Sequence, residues 1–219
     1  MSKGDETRER IIAKAGELFN QRGFEGTSLS DLMHATGLEK GGIYRHFRSK
    51  EELAAESFDY AWKAAFDERM RDLDSIPGSV DRLKLLIANF VERRPTVPGG
   101  CPLLNTAIEA DDGDLVLRER ARRALRNWQN LLVSVINGGI RQGEIRPGVN
   151  PNRLAMLIIA SLEGAQMISR LERNRDALLT AQSHLDRYLD KEVRARRPRT
   201  SISQANQKER MHRPEESKF

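Results

Sequence analysis

Apolar residues recur along this chain at spacings of three and four, and no segment alternates convincingly with period two over the length of a strand. Ile11, Ile12, Ala15, Leu18 and Phe19 form one face of a first helix, and Gly23 supplies its stop. Ser28, with Asp31 three residues on, makes a capping pair for a short second helix that buries Leu29, Leu32 and Met33. Gly37 breaks that helix, and a third short one is expected over residues 39–47. Ser49 and Glu52 form a second Ser-x-x-Glu cap, opening a long fourth helix with Leu53, Phe58, Ala61, Trp62, Ala65 and Phe66 on its apolar side.

Ile76, Pro77 and Gly78 make a turn into a fifth helix carrying Leu83, Leu86, Ile87, Phe90 and Val91. Pro95, Pro98, Gly99, Gly100 and Pro102 then form a break that no helix tolerates. A short helix is expected over residues 103–110. The acidic stretch 111–114 caps a long one reaching about Arg141, with Leu117, Ala121, Ala124, Leu125, Trp128, Leu131, Leu132, Val135 and Ile136 in register. Asn150 and Pro151 start the next helix, which is apolar nearly all round as far as about Leu171 and so is not expected to be wet on one side. A last amphipathic helix carries Leu178, Leu179, Leu185, Tyr188 and Leu189. There is no internal repeat, and the fold class is all-α.

Composition changes this picture less than the pI of about 9.5 suggests. Of the net charge of +5, the whole excess lies from Arg194 onward, where eight Lys/Arg meet three Asp/Glu. The rest of the chain is balanced, so evidence for a nucleic-acid partner must come from local motifs. That basic end, residues 194–219, is expected to be a disordered tail. One cysteine, Cys101, excludes an internal disulfide and a cysteine-based zinc site. The chain opens on polar residues with no apolar signal core, and no run approaches the roughly 18 apolar residues of a membrane helix. No membrane partner and a cytoplasmic location are expected. Four histidines, none paired at metal-ligand spacing, and no Gly-rich phosphate loop argue against an enzyme, a metal site or a cofactor.

Residues 28–50 carry the chemistry. Two short helices flank a tight turn at Ala35, Thr36, Gly37 and Leu38, with Ile43 and Phe47 placed to lock the second helix inward. Lys40, Gly41, Gly42, Tyr44, Arg45 and His46 remain for the outer face. Two glycines cost such a helix roughly 1 kcal/mol each against alanine. A helix that accepts this cost is expected to approach something closely, and in a helix-turn-helix that is DNA. Tyr44 and His46 suit phosphates, and Lys40 and Arg45 reach base edges or phosphates. Ser28 caps a helix whose free amides can face a phosphate, and Lys50 adds another cation.

The strings Gly-Phe-x-Gly-Thr-Ser, Ala-Thr-Gly-Leu and Lys-Gly-Gly-Ile-Tyr-Arg-His-Phe-Arg-Ser-Lys-Glu-Glu-Leu closely resemble the N-terminal domain of tetracycline-repressor (TetR) type regulators, over about residues 7–54. The resemblance implies a three-helix DNA-binding domain joined by a fourth helix to a larger helical regulatory domain. It implies a homodimer through the last two long helices, a palindromic operator, and release by a small-molecule effector. The family's DNA-contacting positions map onto Ser28, Lys40, Gly41, Gly42, Tyr44, Arg45, His46 and Lys50. The expected division is 1–50 for DNA binding, 51–193 for regulation and dimerisation, and 194–219 for the tail.

In the regulatory half, Trp62, Phe66, Phe90, Trp128, Met156 and Met167 are candidates to line a ligand cavity, or to be plain core. Asn105, Gln129, Glu163 and Gln166 are polar positions on otherwise apolar helices. A buried polar group needs a partner, and a ligand is one such partner; a helix edge or the dimer contact is the other. Cys101 is expected to be an ordinary buried or loop cysteine, with a redox sensor as the alternative.

Overall fold

The computed structural model describes residues 2–93, 97–110 and 113–196. Among them lie nine α-helices: α1 (Lys3–Arg22), α2 (Leu29–Thr36), α3 (Lys40–Tyr44), α4 (Lys50–Met70), α5 (Ser79–Glu92), α6 (Pro102–Glu109), α7 (Leu115–Arg141), α8 (Pro151–Glu172) and α9 (Asp176–Tyr188). A 3-10 turn follows α4 at Leu73–Ser75, and a π-turn extends α9 through Leu189–Val193. The nearest thing to a strand is a single antiparallel bridge between Ile145 and Arg194.

Caps fix where the first helices begin. The Ser28 hydroxyl accepts from the Asp31 amide at 3.1 Å, and the Asp31 carboxylate accepts from the Ser28 amide at 2.9 Å, closing the expected capping box. Those bonds from Ser28 hold the Asp31 carboxyl below its usual range, with Arg22 beside it adding to the effect. At α4 the exchange is offset. Ser49 accepts from Glu52, but Glu52 reaches past the cap to the Arg48 amide at 2.6 Å. Helix α3 ends at Tyr44, three residues short of the expected end, and the Arg45, His46 and Phe47 amides continue as turn bonds toward this cap.

The helices enclose two cores. The smaller gathers Ile11, Ile12, Ala15, Leu32, Ile43, Phe47 and Leu53 from α1 to α4. The larger is built from α4 to α9, with Trp128, Leu132, Ile136, Ile158 and Leu162 at its centre. The long helix α4 belongs to both, and α1 lies along it at close range. A Cβ at Gly16 would sit 3.3 Å from the Ser57 carbonyl oxygen.

Within the single chain, helix α8 is buried on one side only. Its inner side packs on α5, α7 and α9, while Met156, Leu157, Met167, Ile168 and Leu171 face outward. By length and composition α8 is also apolar enough to cross a membrane, contrary to the run-length count. Such composition equally suits a core helix of a packed bundle, and here one side of it does line the core. Arg194 and Ala195, expected to belong to the basic tail, are tied to the helical body. Arg194 pairs with Asp81 at 2.5 Å and with Asp190 at 3.3 Å, and the Ala195 amide donates to the Glu144 carbonyl. The remainder of the tail, 197–219, lies outside the described residues, as do Arg94, Pro95 and the acidic pair at 111–112.

Candidate nucleic-acid interface and regulatory cavity

Helix α3 owes its position to two side chains. Ile43 and Phe47 are 1% and 2% exposed, so everything on the opposite side of this short segment is turned outward. Gly37 ends α2 in the left-handed conformation (φ +67°), the geometry a tight helix-turn-helix corner needs from a residue without a Cβ. Lys40, Gly41 and Arg45 are exposed, and Gly42, Tyr44 and His46 are half-buried. The Lys40 ammonium lies 6.0 Å from the Tyr44 ring centre. Ser28, at the start of α2, is exposed.

The two glycines of α3 do different jobs. A Cβ at Gly42 would come within 3.3 Å of the Leu38 side chain, so the close approach it permits is internal, between helix and turn. A Cβ at Gly41 would meet nothing within 4 Å. Only Gly41 therefore leaves the outer surface bare. Lys50 is partly committed already. Its ammonium donates to the Phe24 carbonyl at 2.6 Å and sits 4.1 Å from the Phe24 ring centre, tying the start of α4 to the α1–α2 connection.

The second site is a cavity of about 390 Å³ between α4, α5, the segment before α6, and the α8–α9 corner. Phe90 lines it, as does Gln166, but most of the residues expected there do not. Trp62, Phe66 and Trp128 join Phe90 in an aromatic cluster behind its wall, with neighbouring ring centres 5.6 to 6.1 Å apart. Met167 falls on the outer face of α8, 52% exposed. Gln129 is half-buried on α7, away from the cavity lining. Asn105 is a fastener. Its amide nitrogen donates to the carbonyl and side-chain oxygens of Asn20 and to the Gly99 carbonyl, each at 2.9 Å. Apolar periodicity marks which helix face is inward, but it does not say which inward residue borders a void.

Arg69 is the residue that sequence reasoning missed. Its guanidinium lies 4.4, 4.6 and 5.1 Å from the ring centres of Trp128, Phe90 and Trp62. It donates to Cys101 Sγ at 3.1 Å and pairs with Glu163 at 3.8 Å. Cys101 in turn donates to Glu163 Oε1 at 3.0 Å. A signal was available, because Arg69 continues the buried stripe of α4 at seven residues from Trp62 and four from Ala65. A charged residue in register with a buried stripe needs a reason. Burial pushes the Glu163 carboxyl up, against the pull of Arg69.

Burial likewise pushes the Cys101 thiol up to about 11, with Arg69 opposing and Glu163 adding to the rise. The thiolate is the reactive form. Cys101 is therefore expected to resist Ellman's reagent in the folded protein at neutral pH and to react promptly once the chain is unfolded in urea. Fast reaction of the native protein would restore the redox-sensor alternative.

A polar latch joins this cavity to the N-terminal unit. Asn20, near the end of α1, donates to the carbonyls of Pro98 and Gly100 at 2.8 and 3.2 Å. Asn105 holds Asn20 from α6, and Arg170, which lines the cavity, donates to the Asn105 amide oxygen at 3.1 Å. Farther along α6, the Glu109 carboxylate accepts from the Glu25 amide at 3.0 Å. Gly99 sits at φ +109°, where a Cβ would lie 2.4 Å from the Asn20 carbonyl oxygen. Gly99→Ala is expected to cost about 1–3 kcal/mol from the backbone conformation alone, and more from the clash. Gly143→Ala, also at positive φ but facing open space, is the control and should lower the melting temperature less. Equal losses in thermal melts would mean that Gly99 does not pack as described.

A helix-turn-helix whose second helix turns its polar side outward, set on a separate helical core, places this chain among the DNA-binding regulators. The chain belongs to the tetR family of bacterial regulatory proteins. That family matches residues 11–56, and the tetracyclin repressor-like C-terminal domain matches residues 79–185. A TetR transcriptional regulator from Chloroflexus aurantiacus superimposes with a TM-score of 0.85 at 47% identity, covering 90% of this chain and 100% of its own. A regulator from Cytophaga hutchinsonii gives 0.84 at 35% identity, covering 90% and 99%. The HTH-type transcriptional repressor DhaR of Mycobacterium sp. strain GP1 is 29% identical over 78% of this chain and 86% of its own length. The protein is thus a regulator of transcription and not an enzyme.

Proposed function

We propose that this protein is a repressor that binds a palindromic operator as a homodimer and leaves it when a small molecule fills the cavity beside Arg69. The orientation of α3 carries this reading. With Ile43 and Phe47 locked inward, Lys40, Gly41, Tyr44, Arg45 and His46 form the surface offered to a major groove, with half-buried Gly42 at its inner edge. Ser28 and Lys50 flank it and suit phosphates. The division into residues 1–50 for DNA binding and 51 onward for regulation follows, with the regulatory part extended to 196 by the bonds of Arg194 and Ala195. A DNA partner implies a cytoplasmic location.

Dimerisation is assigned to the outer face of α8 and to α9. Met156, Leu157, Met167, Ile168 and Leu171 are joined there by Leu179, with Ala160 and Gly164 between them. Small residues let a second helix pair approach, as in a two-fold four-helix interface. Release then works by linkage. A ligand contacting Arg170 or the Gly100 segment alters the latch that holds Asn20, and with it the spacing of the two heads.

Selection of bound duplexes from a random library at defined salt tests the reading. An enriched palindrome with half-sites about 34–36 Å apart is expected. Tyr44→Ala should then weaken binding to all sequences alike, and Lys40→Ala should also flatten the salt dependence. No enrichment by a folded dimer would favour a helical interaction protein that no longer reads DNA.

A further inference from the structure

We propose that the cavity is built for an anionic ligand with an apolar body, a small organic carboxylate, whose charged end is drawn to the under-compensated charge of Arg69 at the cavity wall. This rests on the reading of the cavity as an effector site and names the class of effector.

The first observation is an unmet need. The Arg69 side chain is 8% exposed and lines the cavity, yet its Nη1, itself buried, has no hydrogen-bond partner among the described residues, which leaves the guanidinium charge under-compensated. A buried guanidinium with an empty nitrogen is costly unless something completes it. Its internal counter-ion is poorly placed for this. Glu163 stands 3.8 Å from the other nitrogen, beyond hydrogen-bond range, and it is not part of the cavity wall.

The second observation is the rest of the wall. Arg170 and Arg175 also line the cavity, and both donate to neutral oxygens, those of Asn105 and Val91. Arg93 is held by Glu68 and Asp72. Four arginines face two glutamates on this wall, so the excess is cationic, and Glu92, bonded to Gln182, is the single carboxylate there that no arginine holds. Phe90, Val91 and Leu178 supply the apolar part. The three rings around Arg69 hold its plane still, so the charge beside the cavity is fixed in place before a ligand arrives.

Trp62 and Trp128 are the two tryptophans of the chain, and both lie against Arg69, so their emission reports on occupancy. The test titrates the purified dimer with the carboxylates from acetate to decanoate and with naphthoate. The alcohol and ammonium analogue of each is titrated in parallel. A saturable emission change is expected for one or more carboxylates, with affinities about tenfold to a hundredfold above the matched alcohols. Arg69→Met should erase that preference. Glu163→Gln, which keeps shape and volume, should bind the same carboxylate at least as tightly. Alcohols or ammonium ions binding as well as carboxylates, no saturable change with any probe, or loss of carboxylate binding in Glu163→Gln would each overturn the proposal. Operator binding is measured separately with the selected duplex. A carboxylate that binds with the expected preference but leaves the duplex bound would uphold the ligand class and refute release.

Discussion

Phe47→Ala is expected to unfold the DNA-reading unit while leaving the regulatory core standing. Phe47 is 2% exposed at the centre of the smaller core, among Ile11, Leu32, Ile43 and Leu53. Cutting a buried phenylalanine to alanine costs about 3–5 kcal/mol, against a total stability of roughly 5–15 kcal/mol for an entire domain. Here the loss falls on a cluster of seven buried residues that holds α3 in place. The ring also supports the Arg8 guanidinium, 4.8 Å above it, which pairs with Glu56 on α4. DNA binding should vanish, and amide exchange in α2 and α3 should rise to that of an open segment. Tryptophan emission should stay native, because Trp62 and Trp128 belong to the other core. A variant that keeps operator affinity and protection would show that α3 is anchored by something besides this ring.

Ile168→Glu is expected to dissociate the proposed dimer. Ile168 is 46% exposed in the single chain and lies among the outward apolar residues of α8. Gly164, one turn earlier, has nothing within 4 Å of where a Cβ would sit, which leaves room for a partner helix. Two-fold symmetry places the new carboxylate in the interface twice. Burying each without a partner costs several kcal/mol. Sedimentation should report a monomer with unchanged helicity. Operator affinity should fall by about 10² to 10⁴, the loss of effective concentration when two linked heads become one. A persisting dimer would move the interface elsewhere, and the exposed Ile108, Leu115 and Val116 around the start of α7 would be the next face to test.

The contrast between these two cores explains what could be inferred early. Capping pairs, the Gly37 corner and the spacing of Ile43 and Phe47 are local, each acting within a few residues. They make the helix-turn-helix and its outward residues legible in the sequence. The end of α3 is less legible, because helix gives way there to turn bonds that run on to Phe47 without a break in the apolar spacing. Gly42 also meets the Leu38 side chain across the turn, a constraint that periodicity does not mark. Near the cavity the difficulty is greater. Trp62, Phe90, Glu163 and Asn105 were all singled out as noteworthy, yet Phe90 faces the void, Trp62 and Glu163 stand behind Arg69, and Asn105 fastens α6 to Asn20.

The amino-acid sequence by itself determined the helical class, the starts of most helices, the DNA-reading segment and the apolar faces, because periodicity and capping are short-range properties of the chain. Only the tertiary structure decided that an arginine on the buried stripe of α4 would sit among three rings beside Cys101 and Glu163. It also decided that Asn20, Gly99, Asn105 and Arg170 would form one latch. Those residues lie as many as 150 positions apart in the chain (Asn20 to Arg170). Their pairing is set by how whole helices pack, and no spacing along the sequence encodes it.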